Sequence, residues 1–592
     1  MTQLDAETGS FGAAVPLREQ RHRSTAGYSS LHAEEAAPAC LTPRLKRADR
    51  RYRHWRCAVN VVLLAFIVTV PPMVFLFRAS TSTPPVWIGA EKTLRLGSAT
   101  GHDRLLGGLL ADGVQDPSCH SRYQSAMYRR KAGRQPSAYL VSKLRRHEAL
   151  QRRCGPGTAA YTDAAEQLRS WKSRAGGIGS PDCKYIVSIS YRGLGNRILA
   201  ATSAFLYAVL TDRVLLVDPS NDMGELFCEP FPDTTWLVPG DFPLTSYTNF
   251  SVDTPETYGN MLKRKVIGAA SMTAQQLPSF AYINLDHHKT DEDDLFFCDE
   301  AQRVLRGIQW LVMRTDNYIV PGLFLATGFQ EELDMLFPEP DTVFHHLSRY
   351  LIHPKNHVWG LVTRYHDAYL AAAHQRVGIQ VRVVLAPRES PEVLEQITRC
   401  TQKESLLPEI LAAGIEPSPV PPTRRSKAVL VTSLSGWYKD KIKSMYWEHA
   451  TANGEAVGVH QPSHEEYQQF GTKSHDAKAL ADMYLLSLTD VLVTTGRSTF
   501  GYVAQGLGGL TPWVMYKPEN VSVVPDPPCG RDLSMEPCFH SPLFYDCRIK
   551  QGADTGKIVP HVQHCKDVTW GLKIVPLVVH SDILDILPSV SN

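Results

Sequence analysis

The chain has 592 residues, 43% of them apolar and 21% charged, with a formal net charge of +2. That composition excludes a mini-protein, a collagen-like repeat and a wholly disordered chain. A near-neutral balance also excludes a general nucleic-acid binder, which carries a basic domain rather than a basic tail, so no nucleic-acid partner is expected.

Residues 1–43 show no sustained hydrophobic period and read as the start of a cytosolic tail reaching residue 56. Arg44, Lys46, Arg47, Arg50, Arg51, Arg53 and Arg56 then crowd ahead of Cys57–Phe77, a stretch of 21 residues without a charge. About 20 apolar residues in a helix cross a bilayer core, and the basic side stays cytosolic. The 56 residues before the apolar run fit a cleaved signal peptide badly, so 57–77 is expected to be a transmembrane signal anchor. Ala79–Ala90 (ASTSTPPVWIGA) suits an extended stem, placed at 78–102. Ten of the 12 cysteines lie beyond the span and form no CxxC pair, which favours disulfides over zinc in an oxidising lumen. Asn249-Phe250-Ser251 and Asn520-Val521-Ser522 are glycosylation sequons.

From residue 103 onward, apolar strands alternate with amphipathic helices. Lys184–Ser190 reads as a strand, Gly193-Leu194-Gly195 as a turn, Asn196 as the start of a helix and Arg213–Val217 as the next strand, the signature of a parallel sheet. Val377–Leu385, Ala428–Ser433, Ala456–His460, Val491–Thr495 and Thr511–Tyr516 repeat the grammar, with a helix over Ser474–Thr489 capped by Ser474 and carrying Asp476 in its first turn. Pro417–Pro422 breaks the second half with a loop. The fold class is therefore α/β, two Rossmann-like lobes facing across a cleft, one over 103–375 and one over 376–592.

Four places carry candidate chemistry. The glycines of Gly193-Leu194-Gly195-Asn196-Arg197 let a ligand approach the backbone, and free amides at a helix start favour an anion; a tight crossover without ligand fits the same residues. Arg382, near the end of a parallel strand, matches a diphosphate in charge and fork geometry or forms an internal ion pair. Asp482 inside a mainly apolar helix costs several kcal/mol unless paired, so it either accepts two bonds from guanine or caps and faces solvent. Gly496-Arg497-Ser498-Thr499-Phe500-Gly501 opens a further helix with another anion-binding end. Asp291-Glu292-Asp293-Asp294 contains an Asp-x-Asp pattern, but its polar surroundings read as a solvated acidic face, and no metal site is expected.

These residues lie in blocks that resemble the plant Golgi fucosyltransferases of the xyloglucan α-1,2-fucosyltransferase family: LLGGLLADG from Leu105, CKYIVSIS from Cys183 through GLGNRILAATSAFLYAVLTDRVLLVD, LFCEPFP from Leu226, VWGLVTRYHDAYL from Val358, HQPSHEEYQQ, STFGYVAQGLGG, MEPCFHSPLFYDC and HCKDVTWGLKIV. The resemblance spans roughly residues 103–576. It implies a GT-B-like fold behind a type II Golgi membrane anchor, and metal-free, cofactor-free, inverting transfer of fucose from GDP-fucose. By the same resemblance Arg382 holds the β-phosphate, Gly193, Gly195, Asn196 and Arg197 lie by the diphosphate, Asp482 reads guanine, and Ser498, Thr499 and Phe500 surround the nucleotide. Asp567 is a candidate for orienting Arg382 or the acceptor, and Gln461 and His464 are further cleft candidates. Gly496-Arg497 departs from the small-aromatic pair expected there, and Tyr191-Arg192 is more polar than usual. Galactose on xyloglucan and arabinose on arabinogalactan proteins are both acceptors in the family's range, a homodimer is compatible with an anchored transferase, and a glycan-binding relative without turnover is the reading from another class.

Overall fold

The computed structural model describes residues 103–577 except 113–115, 132, 171–182, 221, 269–276, 384–387, 413, 416–424, 470–471 and 519–521. The tail, anchor, stem and the Pro417–Pro422 loop lie outside the described residues. Two parallel sheets carry the fold. The first is ordered β2-β1-β4-β3, from β1 (Tyr185–Ile189), β2 (Val214–Val217), β3 (Phe280–Asn284) and β4 (Trp310–Arg314). The second is ordered β10-β9-β8-β5-β6-β7, from β5 (Gln375–Gln380), β6 (Ser426–Thr432), β7 (Ala456–His460), β8 (Val491–Thr495), β9 (Trp513–Met515) and β10 (Cys529–Arg531). All pairs are parallel except β10 on β9. Helices cover parallel sheets on both faces, so their strands are near-continuous apolar runs rather than alternating ones. In β5, accordingly, Gln380 is as buried as Val377 and Ile379, and Arg382 stands two residues past the strand's end rather than on its polar face.

The helix after β1, α1 (Leu194–Thr211), begins at Leu194 with Gly193 as its N-cap, so Gly195, Asn196 and Arg197 belong to its first turn instead of preceding it. Every residue from Leu194 to Leu210 except Asn196 is buried. It is the one described helix long and apolar enough to cross a membrane, and 89% of that window lies inside the protein, which makes it a core helix. Two of its hydroxyls are satisfied within the helix: Thr202 and Ser203 donate to the Ile198 and Leu199 carbonyls at 2.8 Å each. α2 (Val343–Leu351) packs on it, and α3 (Asn356–Tyr369) packs on α4 (Lys473–Ser487), the helix that leads into β8. Thr472, not Ser474, precedes α4; Ser474 sits inside its first turn beside Asp476. α5 (Thr499–Gly508) follows β8 and packs against both α4 and α1.

All ten cysteines beyond residue 103 are paired: Cys119–Cys228, Cys154–Cys183, Cys298–Cys547, Cys400–Cys529 and Cys538–Cys565. The cysteine-rich C-terminal stretch is therefore stapled once within itself and twice to distant parts of the chain. Buried Glu536 reinforces this, accepting from Tyr318 Oη at 2.5 Å and the Phe344 amide at 2.7 Å. The acidic run Asp291–Asp294 is solvated only in part, with Asp291 exposed and Asp293 buried. Asp293 is 1% exposed and forms a capping box with Thr290, and Lys289 pairs with Asp294 at 2.8 Å. Of the sequons, Asn249 is exposed in a short helical turn, and Asn520 lies outside the described residues.

Arg213 shows how the first sheet is held. It is fully buried, and its guanidinium donates to the carbonyls of Tyr185 at 3.3 Å, Gln309 at 3.1 Å, Leu305 at 2.7 Å and Ile308 at 2.9 Å. Burial lowers its pKa to about 10. A buried acceptor left unpaired costs about 1–3 kcal/mol, so Arg213→Met is expected to destabilise the protein by about 3 kcal/mol or more, read as a lower urea midpoint.

Candidate active site

The C-terminal ends of both sheets open onto one cleft of about 530 Å³. Open α/β sheets place ligands at those ends because the helix N-termini gather there. Its walls include Arg192 to Asn196 after β1, His287 after β3, Gln380 to Val383 after β5, Thr432 to Leu434 after β6, Ser463, Glu465 and Gln468 after β7, Asp482 and Met483 of α4, Arg497, Thr499 and Phe500 after β8, and His540.

The starts of α1 and α5 touch. A Cβ on Gly195 would lie 2.8 Å from Thr499 Oγ1 and 2.9 Å from its carbonyl carbon, so only glycine permits the approach. Thr499 donates to Asn196 Oδ1 at 3.1 Å, while Asn196 Nδ2 donates to the Asp316 carbonyl at 2.8 Å. Neither helix has a side-chain cap, at Gly193 or at Ser498, and the buried Ser498 hydroxyl has no partner among the described residues. Uncapped amides at two converging helix starts concentrate partial positive charge, an arrangement suited to an anion.

Arg382 faces this site. Its backbone amide donates to Thr495 Oγ1 at 3.0 Å, and Nη2 donates to Gln468 Oε1 at 3.2 Å. Among the described residues no carboxylate comes within ion-pair distance of it, so the internal-pair alternative does not hold there. By contrast, Arg192 is paired with Asp316 at 3.0 Å and Arg388 with Glu466 at 2.9 Å. At the other end of the cleft Asp482 is 5% exposed and accepts from Ser463 Oγ at 2.6 Å. Burial pushes its pKa up to about 7. With one neutral donor, this buried carboxyl keeps acceptor capacity for further donors.

Gly193, Gly195, Asn196, Arg382, Asp482, Thr499 and Phe500 thus come together on the cleft wall. Others expected there lie off it. Arg197 is buried and ion-paired with Asp476 at 2.5 Å, joining α1 to α4 rather than reaching a ligand. Gln461 donates to the carbonyls of Ser433, Ser435 and Ser463 and so braces the loops behind the wall. Ser498 is buried beneath the helix start, and His464 is not among the wall residues. Asp567 does not touch Arg382: its Oδ2 accepts the Arg497 amide at 2.8 Å and the Tyr502 hydroxyl, which holds the turn before α5. That turn holds the Gly496-Arg497 pair in place through Asp567. A Cβ at 496 would sit 3.0 Å from the Asp567 Cβ, and Arg497, at φ +61°, lays its guanidinium 5.1 Å over Trp570.

Sequence reasoning missed Gln468, Asp316 and His540. Asp316 had a readable signal, an acid at the end of β4, where it holds Arg192, Ser190 and Asn196 toward the cleft. Asp286 is its carboxyl neighbour, and burial followed by that neighbour's charge pushes Asp316 up to about 6. Gln468 carried no signal beyond lying in a polar loop.

Residues 86–548 match the family described as xyloglucan fucosyltransferase. The galactoside 2-alpha-L-fucosyltransferase of Pisum sativum is 55% identical over 477 residues, covering 80% of this chain and 82% of that protein. The Arabidopsis thaliana protein of that name is 55% identical over 475 residues, 80% and 83% of the two chains. The structure of a single-substitution mutant of Arabidopsis thaliana FUT1 in complex with GDP superposes with a TM-score of 0.73 at 54% identity, covering 80% of this chain and all of that one. The chain belongs to the xyloglucan fucosyltransferase family.

Proposed function

We propose that this protein transfers fucose from GDP-fucose, with inversion, to galactose on xyloglucan side chains, as a type II Golgi membrane enzyme whose body lies in the lumen. The observation that carries the donor reading is an unpaired arginine facing two uncapped helix starts, with a buried carboxyl at the far end of the same cleft. Guanine presents two adjacent N–H donors that suit Asp482, and a diphosphate suits Arg382 with the amides of α1 and α5. Phe500, partly buried against the core, adds an apolar surface to the same cleft.

In an in-line displacement the bond from C1 of fucose to the β-phosphate breaks as the acceptor oxygen attacks. Negative charge grows on departing GDP. Arg382, poised by Gln468 and Thr495, and the helix-start amides stabilise that charge in the role a divalent cation plays elsewhere. Gln468 acts as a positioning residue. Glu292, Asp293 and Asp294 are engaged in lysine pairs and a capping box and do not line the cleft, so we assign the run no metal.

Incubating the purified protein with GDP-fucose, EDTA and a panel of galactosylated xyloglucan and arabinogalactan acceptors tests the reading. Transfer to xyloglucan in EDTA is expected, and Arg382→Ala is expected to lower kcat by about 10²-fold or more. Transfer to arabinogalactan alone would replace the acceptor, and binding of glycan without turnover would replace the reaction.

Asp482 adds a pH dependence. Its carboxyl is neutral below about 7 and charged above, and only the carboxylate accepts freely from both guanine donors. GDP affinity is therefore expected to fall as pH drops through about 7. Calorimetry should find that fall absent in Asp482→Asn, whose affinity is low at every pH.

A further inference from the structure

His540 sits two residues after Cys538, whose disulfide to Cys565 and the backbone pairing of Phe539 with Leu572 fix its position. It lines the cleft beside Arg497. Its Nε2 lies 2.9 Å from Tyr502 Oη, and Tyr502, buried in α5, also contacts Asp567 Oδ2. The directions of these bonds follow from the groups. A carboxylate only accepts, so Tyr502 donates its single proton to Asp567. Tyr502 then has only a lone pair to offer, and His540 donates Nε2–H to it. That tautomer leaves Nδ1 unprotonated, as an acceptor. The second Asp567 oxygen is buried with no partner among the described residues, which keeps the carboxylate a strong acceptor for Tyr502. Burial, with Arg497, His287 and Lys573 nearby, outweighs Asp567 and lowers His540 to about 4, so the ring is neutral above that pH.

We propose that His540 is the general base that takes the proton of the acceptor hydroxyl at Nδ1, with Tyr502 and Asp567 as positioning residues that fix its tautomer. This assignment rests on the transferase reading above. The O–H bond breaks with its proton going to Nδ1, and the oxygen's electron pair forms the new bond to C1 of fucose. The C1–O bond to the β-phosphate breaks with its pair leaving on GDP. The imidazolium formed is held by the Tyr502–Asp567 relay and then returns its proton to water.

The test compares kcat for fucosyl transfer with the Kd for GDP in wild type, His540→Ala, His540→Gln and Tyr502→Phe. His540→Gln keeps an N–H donor toward Tyr502 without a basic nitrogen. General-base removal costs about 10²- to 10⁴-fold, so both His540 variants should lose that in kcat with GDP affinity within about twofold of wild type. Added imidazole should restore part of the rate of His540→Ala and none of that of Arg382→Ala. Tyr502→Phe keeps the ring packing, and its kcat should fall by about 10-fold at unchanged GDP affinity. A kcat within about threefold of wild type in both His540 variants, or GDP affinity lost in parallel with kcat, would overturn the assignment. A wild-type protein that binds GDP but transfers to no acceptor would instead overturn the transferase reading on which it rests.

Discussion

Two helix starts meet at Gly195 and Thr499, and the cleft depends on that contact. A helix N-terminus exposes amides that its own turn does not use, and bringing two such ends within van der Waals distance concentrates partial positive charge at one point. The contact is sterically demanding, since a methyl group at 195 would lie within 3.0 Å of three Thr499 atoms. It is also polar, through the Thr499–Asn196–Asp316 chain of hydrogen bonds. Because α1 follows β1 and α5 follows β8, this contact sets the two sheets' C-terminal edges against each other. Arg382 then adds a full charge where the partial ones converge.

The length of the cleft is set by a different interaction. Arg197 and Asp476, both buried, tie the first turn of α1 to the first turn of α4. Six residues separate Asp476 from Asp482, and six residues of helix advance about 9 Å. The ion pair thus anchors one end of a ruler at the anion site, and Asp482 stands at the other. Breaking a buried pair leaves an uncompensated charge, so α4 is held in place at the turn nearest the ligand. Arg197 thus acts on the cleft wall through the position of α4.

Much of this was legible in the sequence. Apolar runs located β6, β7 and β8 within one or two residues, although only β6 and β8 are largely buried and β7, at the sheet's edge, is mostly exposed or half-buried. The glycine-helix motif and the buried acid Asp482 pointed to the cleft for stated chemical reasons. What the sequence concealed was which polar residue turns outward. Arg197 and Arg382 carry the same group, and only the tertiary positions of Asp476 and Gln468 decide that one is a strut and the other free for a ligand. Gln461 and Asp293 illustrate the same ambiguity: a polar side chain in a polar run either faces water or satisfies buried backbone, and the pattern alone does not distinguish the two. His540 and Tyr502 are joined by contacts between segments that have no common periodicity.

The C-terminal stretch explains how residues outside regular structure can form part of a reaction site. Between β10 and residue 577 it contains only short strands and turns, which supply few backbone bonds to fix a side chain. Rigidity comes instead from Cys538–Cys565, from Cys298–Cys547, from Glu536 between Tyr318 and Phe344, and from the buried pair of Lys573 with Asp532. These constraints surround His540 and Asp567 on the chain. Asp567 in turn supports the backbone of Arg497, a non-glycine residue in the left-handed region, where strain of about 1–2 kcal/mol persists only when neighbours over-determine it. The Asp567 contact is to a backbone amide and does not depend on the side chain at 497. The turn before α5 therefore separates two demands: its backbone is held by Asp567 at the start of α5, and its side chain stacks on half-exposed Trp570 at the surface.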